Sequence, residues 1–254
     1  MPGFNWTYPY SYYPIYSEGQ RISGYFIGKN LQSDHNVSLS ISDFNLSKFF
    51  SASAVNATNA RGNIFPIKLN NTGFSNFTLQ GLKSGTYTLS AADEVNSTVL
   101  SMVPLIVTPQ EISINSSKKV LAGGALKVTV KSLGTDNLTK YYGAVMISKK
   151  DYESMKLDIA SNGSQRNVSS IIAFGNRSMT VQGFPSISSE MLLKLFAILP
   201  QDSAVGMQVA AKPEAEFYLM TDPGWEHGNY ILTCVVYSSG KGILGMRQIP
   251  VEVD

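Results

Sequence analysis

The sequence predicts an all-β chain of two tandem β-sandwiches, and three observations predict it. Short runs rich in β-branched and aromatic residues (GYFIG, NVSLSISDF, NIFPIKLN, SNFTLQGL, TYTLSAAD and VLSMVPLIV) recur at sandwich-like spacing as far as Val107. VTPQE at 107–111 then reads as a short linker, and the pattern restarts. The restart resembles the beginning. GTYTLSAADEVNSTVLSMVPLIV (85–107) parallels GNYILTCVVYSSGKGILGMRQIPVEV (228–253). Each has Gly-x-Tyr-x-Leu, a strand, a polar turn and a final strand of alternating apolar residues.

The elements follow in order. Residues 1–17 are an aromatic N-terminal segment, 18–108 a first sandwich and 109–254 a second. EGQRISGYFI near Glu18 and AGGALKVTVK near Ala122 both read as the first long strand of a sandwich. In each Gly-x-Tyr the glycine lets the backbone turn. The tyrosine packs across the sheet edge and bonds through its hydroxyl, which makes both units immunoglobulin-like. From first glycine to Gly-x-Tyr the second unit is about 39 residues longer. The extra length holds an inserted α-helix near 186–200. Ser188 or Ser189 serves as its cap, and Glu190 lies in the first turn. The apolar stripe is Met191, Leu192, Leu195, Phe196 and Leu199, with Pro200 at the end. That helix is expected to plug an open sandwich edge or fill the domain junction, with a partner groove or membrane surface as the alternative. SAVGMQVAAKPE beyond it fits either a second helix or a strand.

The first residues are unusual for a terminus. Phe4, Trp6, Tyr8, Tyr10, Tyr12, Tyr13 and Tyr16 supply seven rings before the first charge, Glu18. From Trp6 to Tyr12 they alternate with Asn5, Thr7, Pro9 and Ser11, so an extended segment presents its rings on one face. Three readings compete. The segment is a strand or lid on its own domain, an added strand on the next copy of the chain, or a set of rings that stack on sugars. Pro9 and Pro14 each remove a donor and suit an edge position. As an assembly contact the segment would be heterologous, giving rings or open filaments.

Asn-x-Ser/Thr occurs at Asn5, Asn36, Asn45, Asn56, Asn70, Asn76, Asn96, Asn115, Asn137, Asn162, Asn167 and Asn176, never with Pro in the middle. Composition alone predicts about three such sites. The excess points to covalent N-glycans on a protein that has crossed a membrane. After Asn176 there is none, and the last 78 residues contain a single Asn, Asn229. A contact surface where glycans would clash explains that gap, as does plain Asn depletion in a strand-rich core. Cys234 is the only cysteine, so no internal disulfide forms, and YILTCVVY reads as a strand interior. Many glycan sites without disulfides fit an archaeal cell surface better than a eukaryotic secretory pathway.

GQRISGYFIG, LKSGTYTLSAAD and the closing PLIVT strand are similar to the secreted repeat domains of methanogenic archaea. KKDYESM, NGS, the inserted helix and PGWEHGNYILTCVVY look like the longer domain of those sheath or S-layer-type surface proteins. The resemblance covers most of the chain and rests on turn and strand signatures. It implies a β-sandwich architecture and an extracellular surface role, and it carries over no catalytic residue.

Little in the sequence points to catalysis. His35 and His227 lie in polar turns without zinc spacing, and no phosphate loop, dinucleotide fingerprint or Gly-x-Ser-x-Gly elbow is present. Asp222, Glu226 and His227 gather around Gly224 and Trp225. Asp222-Pro223-Gly224 reads as a turn and Trp225 as packing at the domain edge, ahead of a glycosidase pair or a calcium site. Net charge is +2, and the doublets Lys118-Lys119 and Lys149-Lys150 read as solvated turns, so no nucleic acid is expected. No run approaches the ~18 apolar residues of a transmembrane helix. The expectation is therefore a structural extracellular glycoprotein, not an enzyme, without cofactors beyond its N-glycans. Its location would be the cell surface, after removal of a leader absent from this chain. Its partners would be copies of itself in a sheath, filament or lattice, with other surface glycoproteins as further partners. The alternative is a carbohydrate-binding or adhesion module using the exposed aromatic residues.

Overall fold

The computed structural model describes residues 4–9, 15–28, 31, 36–43, 63–79, 81–93, 98–134, 138–161, 168–182, 194, 197–239 and 241–254. They form an all-β protein of several sheets. The chain divides into a smaller unit, Tyr13–Pro109, and a larger one, Met1–Tyr12 with Gln110–Asp254.

The smaller unit holds β2 (Ile15–Ser17), β3 (Ile22–Ile27), β4 (Val37–Asp43), β5 (Asn63–Ile67), β6 (Phe74–Leu79), β7 (Gly85–Asp93) and β8 (Thr98–Thr108). Five of these make one sheet in the order β2-β8-β7-β4-β5, and β3 pairs with β6 in a second. Alternation explains the layering. Ile22 and Leu79 from the two-stranded sheet meet Ile41, Leu105 and Val107 from the other. Val37, Leu39, Ile67, Leu69 and Ala91 form a second cluster, with Phe26 and Phe77 packed on it.

The larger unit repeats the plan on a larger scale. Its strands are β9 (Ile112–Ser116), β10 (Lys119–Val120), β11 (Ala125–Ser132), β12 (Lys140–Ser148), β16 (Ser203–Ala210), β17 (Glu214–Met220), β18 (Gly228–Ser238) and β19 (Gly242–Val253). A five-stranded sheet runs β10-β19-β18-β12-β16 and a three-stranded one β17-β11-β9. Along β11 and β17 burial alternates residue by residue, as expected for strands with one face on a core. Val128, Val130 and Leu219 from one sheet and Met146, Leu232, Cys234 and Leu244 from the other are fully buried together. Each large aliphatic side chain there contributes about 1.5–3 kcal/mol.

The correspondence between units extends to register. β2 runs parallel to the end of β8 with Tyr16 opposite Val107, and β10 runs parallel to the end of β19 with Val120 opposite Val253. Gly85 lies opposite Val107 and Gly228 opposite Val253. The Tyr87 hydroxyl donates to the Lys83 carbonyl at 2.8 Å, and the Tyr230 hydroxyl donates to the Glu226 carbonyl at 2.9 Å, four residues back in both units. This order and this tyrosine corner are compatible with immunoglobulin-type sandwiches.

The extra length of the larger unit sits between β12 and β16, where 149–202 replaces the 44–62 link between β4 and β5. It begins with the short helix α1 (Lys149–Ser154), capped by Ser148, whose hydroxyl accepts from the Asp151 amide at 3.0 Å. It continues as β13 (Lys156–Ser161), β14 (Val168–Phe174) and β15 (Arg177–Gln182). These three strands are joined by β1 (Phe4–Pro9) in the order β1-β13-β14-β15. The sequence reading expected a helix here and no sheet. Of that helix, Lys194, Ala197 and Ile198 are helical, and 183–193 with 195–196 lie outside the described residues. SAVGMQVA, open between helix and strand in the sequence, is the edge strand β16. Its small Ala204 and Gly206 point to the core, and Val205, Met207 and Val209 point away.

Candidate functional site

Four of the seven residues of the predicted aromatic contact are described, and they lie on two strands. Phe4, Trp6 and Tyr8 lie on β1, opposite Ser161, Ile159 and Leu157 of β13. Their strand is therefore hydrogen-bonded to its own chain, at the edge of the inserted sheet and with Pro9 at its end, as edge strands tolerate. Tyr10, Tyr12 and Tyr13 lie outside the described residues. Tyr16 is half-buried on the Ile22–Leu105–Val107 cluster, and its carbonyl accepts from the Thr108 hydroxyl at 3.2 Å.

Five of the twelve acceptor asparagines have described side chains, namely Asn36, Asn70, Asn76, Asn115 and Asn176, and all five are exposed. Asn36 precedes β4. Asn70 opens the turn to β6. Its side-chain oxygen accepts from the Thr72 amide (2.9 Å), the Thr72 hydroxyl (2.7 Å) and the Phe74 amide (3.0 Å). Asn76 lies on the outer face of β6, opposite Tyr25. Asn115 lies on the outer face of the three-stranded sheet, in one row with Thr129 and Glu216. Asn176 follows Gly175 (φ 56°) in the two-residue turn between β14 and β15. Asn5 is on β1, and its side chain is not among those described. Asn45, Asn56, Asn96, Asn137, Asn162 and Asn167 lie outside the described residues.

The structure adds a surface the sequence reading located only as a domain. The outer face of the larger five-stranded sheet has three exposed or half-exposed rows: Val209–Tyr141–Tyr237–Ile243, Met207–Gly143–Val235–Met246 and Val205–Val145–Thr233–Gln248. None of these residues is charged and none belongs to an Asn-x-Ser/Thr site. Val205, Met207 and Val209 are 43%, 65% and 52% exposed. The Tyr141 and Tyr237 rings lie 6.1 Å apart. At the Ile147–Ile231 end the face is buried, and α1 packs there.

The candidate catalytic residues are turn and core groups. Asp222 accepts from the Gly224 amide at 2.8 Å through its carboxylate and from the Trp225 amide at 3.1 Å through its carbonyl. Trp225 is buried and stacked on Tyr230 at 5.2 Å. Glu226 is largely solvated, 3.7 Å from Lys150, beside a shallow cleft lined by Lys149, Glu153 and His227. Cys234 is fully buried, and burial pushes its thiol up to about 12, which holds it in the unreactive protonated form. Among the described residues no three His, Cys, Asp or Glu side chains gather as a metal site. His35 lies outside them. No helix among the described residues is long and apolar enough to cross a membrane.

No family model matches the chain, and no curated protein does. Among solved structures, a transglutaminase from red sea bream aligns with the whole chain at 5% identity and a TM-score of 0.29. The alignment covers 31% of that protein, and a likeness of this size carries no argument about function.

Proposed function

We propose that this chain is a structural extracellular glycoprotein of an archaeal cell surface that assembles with copies of itself into a sheath, filament or lattice. The observation that supports it most is a division of surface: every acceptor asparagine with a described side chain is exposed, while three rows on the outer face of the larger unit's five-stranded sheet are exposed or half-exposed and free of both charge and acceptor sites. Glycans on the remaining faces would block unproductive contacts.

The edge strand β16 is the contact this reading favours. Within the larger unit the other edges carry a device that deters pairing. β10 is two residues long, β17 carries Glu214 and Glu216, β9 carries Asn115, β1 ends in Pro9 and β15 begins with Arg177. SAVGMQVA has no charge and no proline, and among the described residues it pairs with β12 alone. The apolar face spans four strands of about seven residues, roughly 400 Å² per copy by strand spacing. That is about half of a standard interface, so face-to-face packing alone would be weak. Antiparallel pairing of β16 with β16 of a second copy adds ladder hydrogen bonds and continues the apolar face across the two-fold axis; that contact closes a dimer, and growth into a polymer takes a second contact, such as packing of the joined apolar faces.

The test combines imaging with cross-linking. Electron microscopy of native material should show regular polymers. The buried Cys234 leaves Val205→Cys, Met207→Cys and Val209→Cys as clean probes, and at least one should oxidise to a covalent dimer while Met220→Cys on β17 does not. Polymers without any β16 cross-link would move the contact elsewhere. Monodisperse particles carrying no glycan mass would overturn the reading.

A further inference from the structure

The outer face of the two-stranded sheet carries an exposed aromatic patch. Tyr25 is 67% exposed and Ile27 54% exposed. The Tyr25 and Phe74 rings are stacked with centroids 6.0 Å apart and planes 23° from parallel. In the β3–β6 ladder Tyr25 lies directly opposite Asn76, Ile27 opposite Phe74 and Ser23 opposite Thr78. The acceptor Asn76, its Thr78 and both rings thus share one face. We infer that the patch is the seat of a sugar attached to Asn76, with the first residues of that glycan lying across the Tyr25–Phe74 rings. This rests on the glycoprotein reading and deepens it at one site.

Four considerations select that occupant. Among the described residues the Asn76 carboxamide makes no hydrogen bond, whereas the oxygen of Asn70 accepts three, so the Asn76 side chain is free to present its nitrogen. The geometry is short, since directly opposed strand residues hold their Cβ atoms about 4.5–5.5 Å apart. The size fits a sugar and not a protein. Two strands of about five residues offer roughly 160 Å², far below the ~800 Å² per partner of a standard interface. The chemistry also matches. One face of a pyranose is a sheet of C–H groups, and an aromatic ring offers an electron-rich face with a polar rim.

Attachment needs a glycosyl donor with a phosphate-ester leaving group. The Asn76 Nδ2 bonds to the anomeric carbon and loses a proton, and the anomeric C–O bond breaks with its electron pair leaving on the phosphate oxygen. The rings take no part in that step. They act afterwards, by holding the sugar against the sheet and screening Tyr25 and Ile27 from water.

The experiment is a double-mutant cycle on natively glycosylated full-length protein, with occupancy at each asparagine read by mass spectrometry. The variants are Asn76→Gln, Tyr25→Ser and both together, and the calorimetric transition of the smaller unit is the readout. With Tyr25 present, loss of the glycan should lower the midpoint by about 4 °C, the scale expected for one good contact in a unit of this size. With Tyr25→Ser in place, the same loss should lower it by less than about 1 °C. Protein made without glycosylation should show no coupling. An occupied Asn76 with additive shifts overturns the inference, as does a bare Asn76 beside occupied Asn36, Asn70, Asn115 or Asn176. Bare asparagines at all of these positions would sink the glycoprotein reading itself.

Discussion

Replacing Tyr230 with Phe removes one hydroxyl and leaves the ring. The hydroxyl donates to the Glu226 carbonyl at 2.9 Å, and the side chain around it is 1% exposed. A net protein hydrogen bond contributes about 0.5–1.5 kcal/mol. The Glu226 side chain is mostly solvated, so water can reach its freed carbonyl and the loss should stay near 1 kcal/mol. In a unit of this size that is a fall of about 2–4 °C in the unfolding midpoint. Both tryptophans, Trp6 and Trp225, belong to the larger unit, and Trp225 stacks on Tyr230. Tryptophan fluorescence therefore reports the affected unit. Tyr87→Phe removes the matching bond in the smaller unit, from a half-buried ring, and should lower that unit's calorimetric transition by a smaller free energy, about 0.5 kcal/mol. The reasoning would be refuted by a Tyr230→Phe midpoint unchanged within error, or by a larger loss for Tyr87→Phe than for Tyr230→Phe.

Other outcomes follow from the same geometry. Asn70→Asp keeps a side-chain oxygen for the three donors of its turn, so melting should be unchanged within about 0.5 kcal/mol while the glycan mass at that position disappears. Asn70→Ala loses both, and should also lower the smaller unit's midpoint. Gly73→Ala should destabilise more than Gly175→Ala. Both glycines are left-handed, about 1–2 kcal/mol for any other residue, but only at Gly73 would the new Cβ strike backbone, the Gly28 carbonyl. Alkali should weaken the larger unit. Burial raises the Cys234 thiol from 9.0 to about 12, so the folded state holds the proton more tightly. That stability is fully present below pH 9 and is lost as pH rises through about 12, up to about 4 kcal/mol in all. Tyr230, raised to about 12 first by burial and then by nearby carboxylates, acts in the same direction. Cys234→Ala should flatten the decline of the tryptophan-reported midpoint between pH 9 and 12.

Local patterns made the sandwiches legible. GYFIG, NVSLSISDF, NIFPIKLN and TYTLSAAD fall on β3, β4, β5 and β7 because alternation and turn residues act over a few neighbours. The Gly-x-Tyr pair was legible for the same reason, since its hydrogen bond closes over four residues. The inserted sheet was not. Val168–Phe174 and Arg177–Gln182 are strands because each pairs with another, and β1 finds its partner in Lys156–Ser161, a match no local window contains. SAVGMQVA stayed open because Ala204 and Gly206 are small on the core side, leaving too little contrast between faces to set a period. The Tyr25–Asn76 seat was half legible. The acceptor site was plain in the sequence, but its opposition to an exposed ring depends on the β3–β6 register.

Strand β1 has a consequence for synthesis. Phe4–Pro9 emerges from the ribosome about 150 residues ahead of its hydrogen-bonding partner Lys156–Ser161. At ~5–20 residues per second the wait is on the order of ten to thirty seconds. During that interval the whole of Tyr13–Pro109 emerges, and with it every strand of the five-stranded and two-stranded sheets of that unit. An aromatic strand without a partner is the kind of segment that captures wrong edges. The nascent chain therefore carries an unpaired aromatic strand until β13 is made, and a factor that shields such strands would act on this protein before the β13 residues appear.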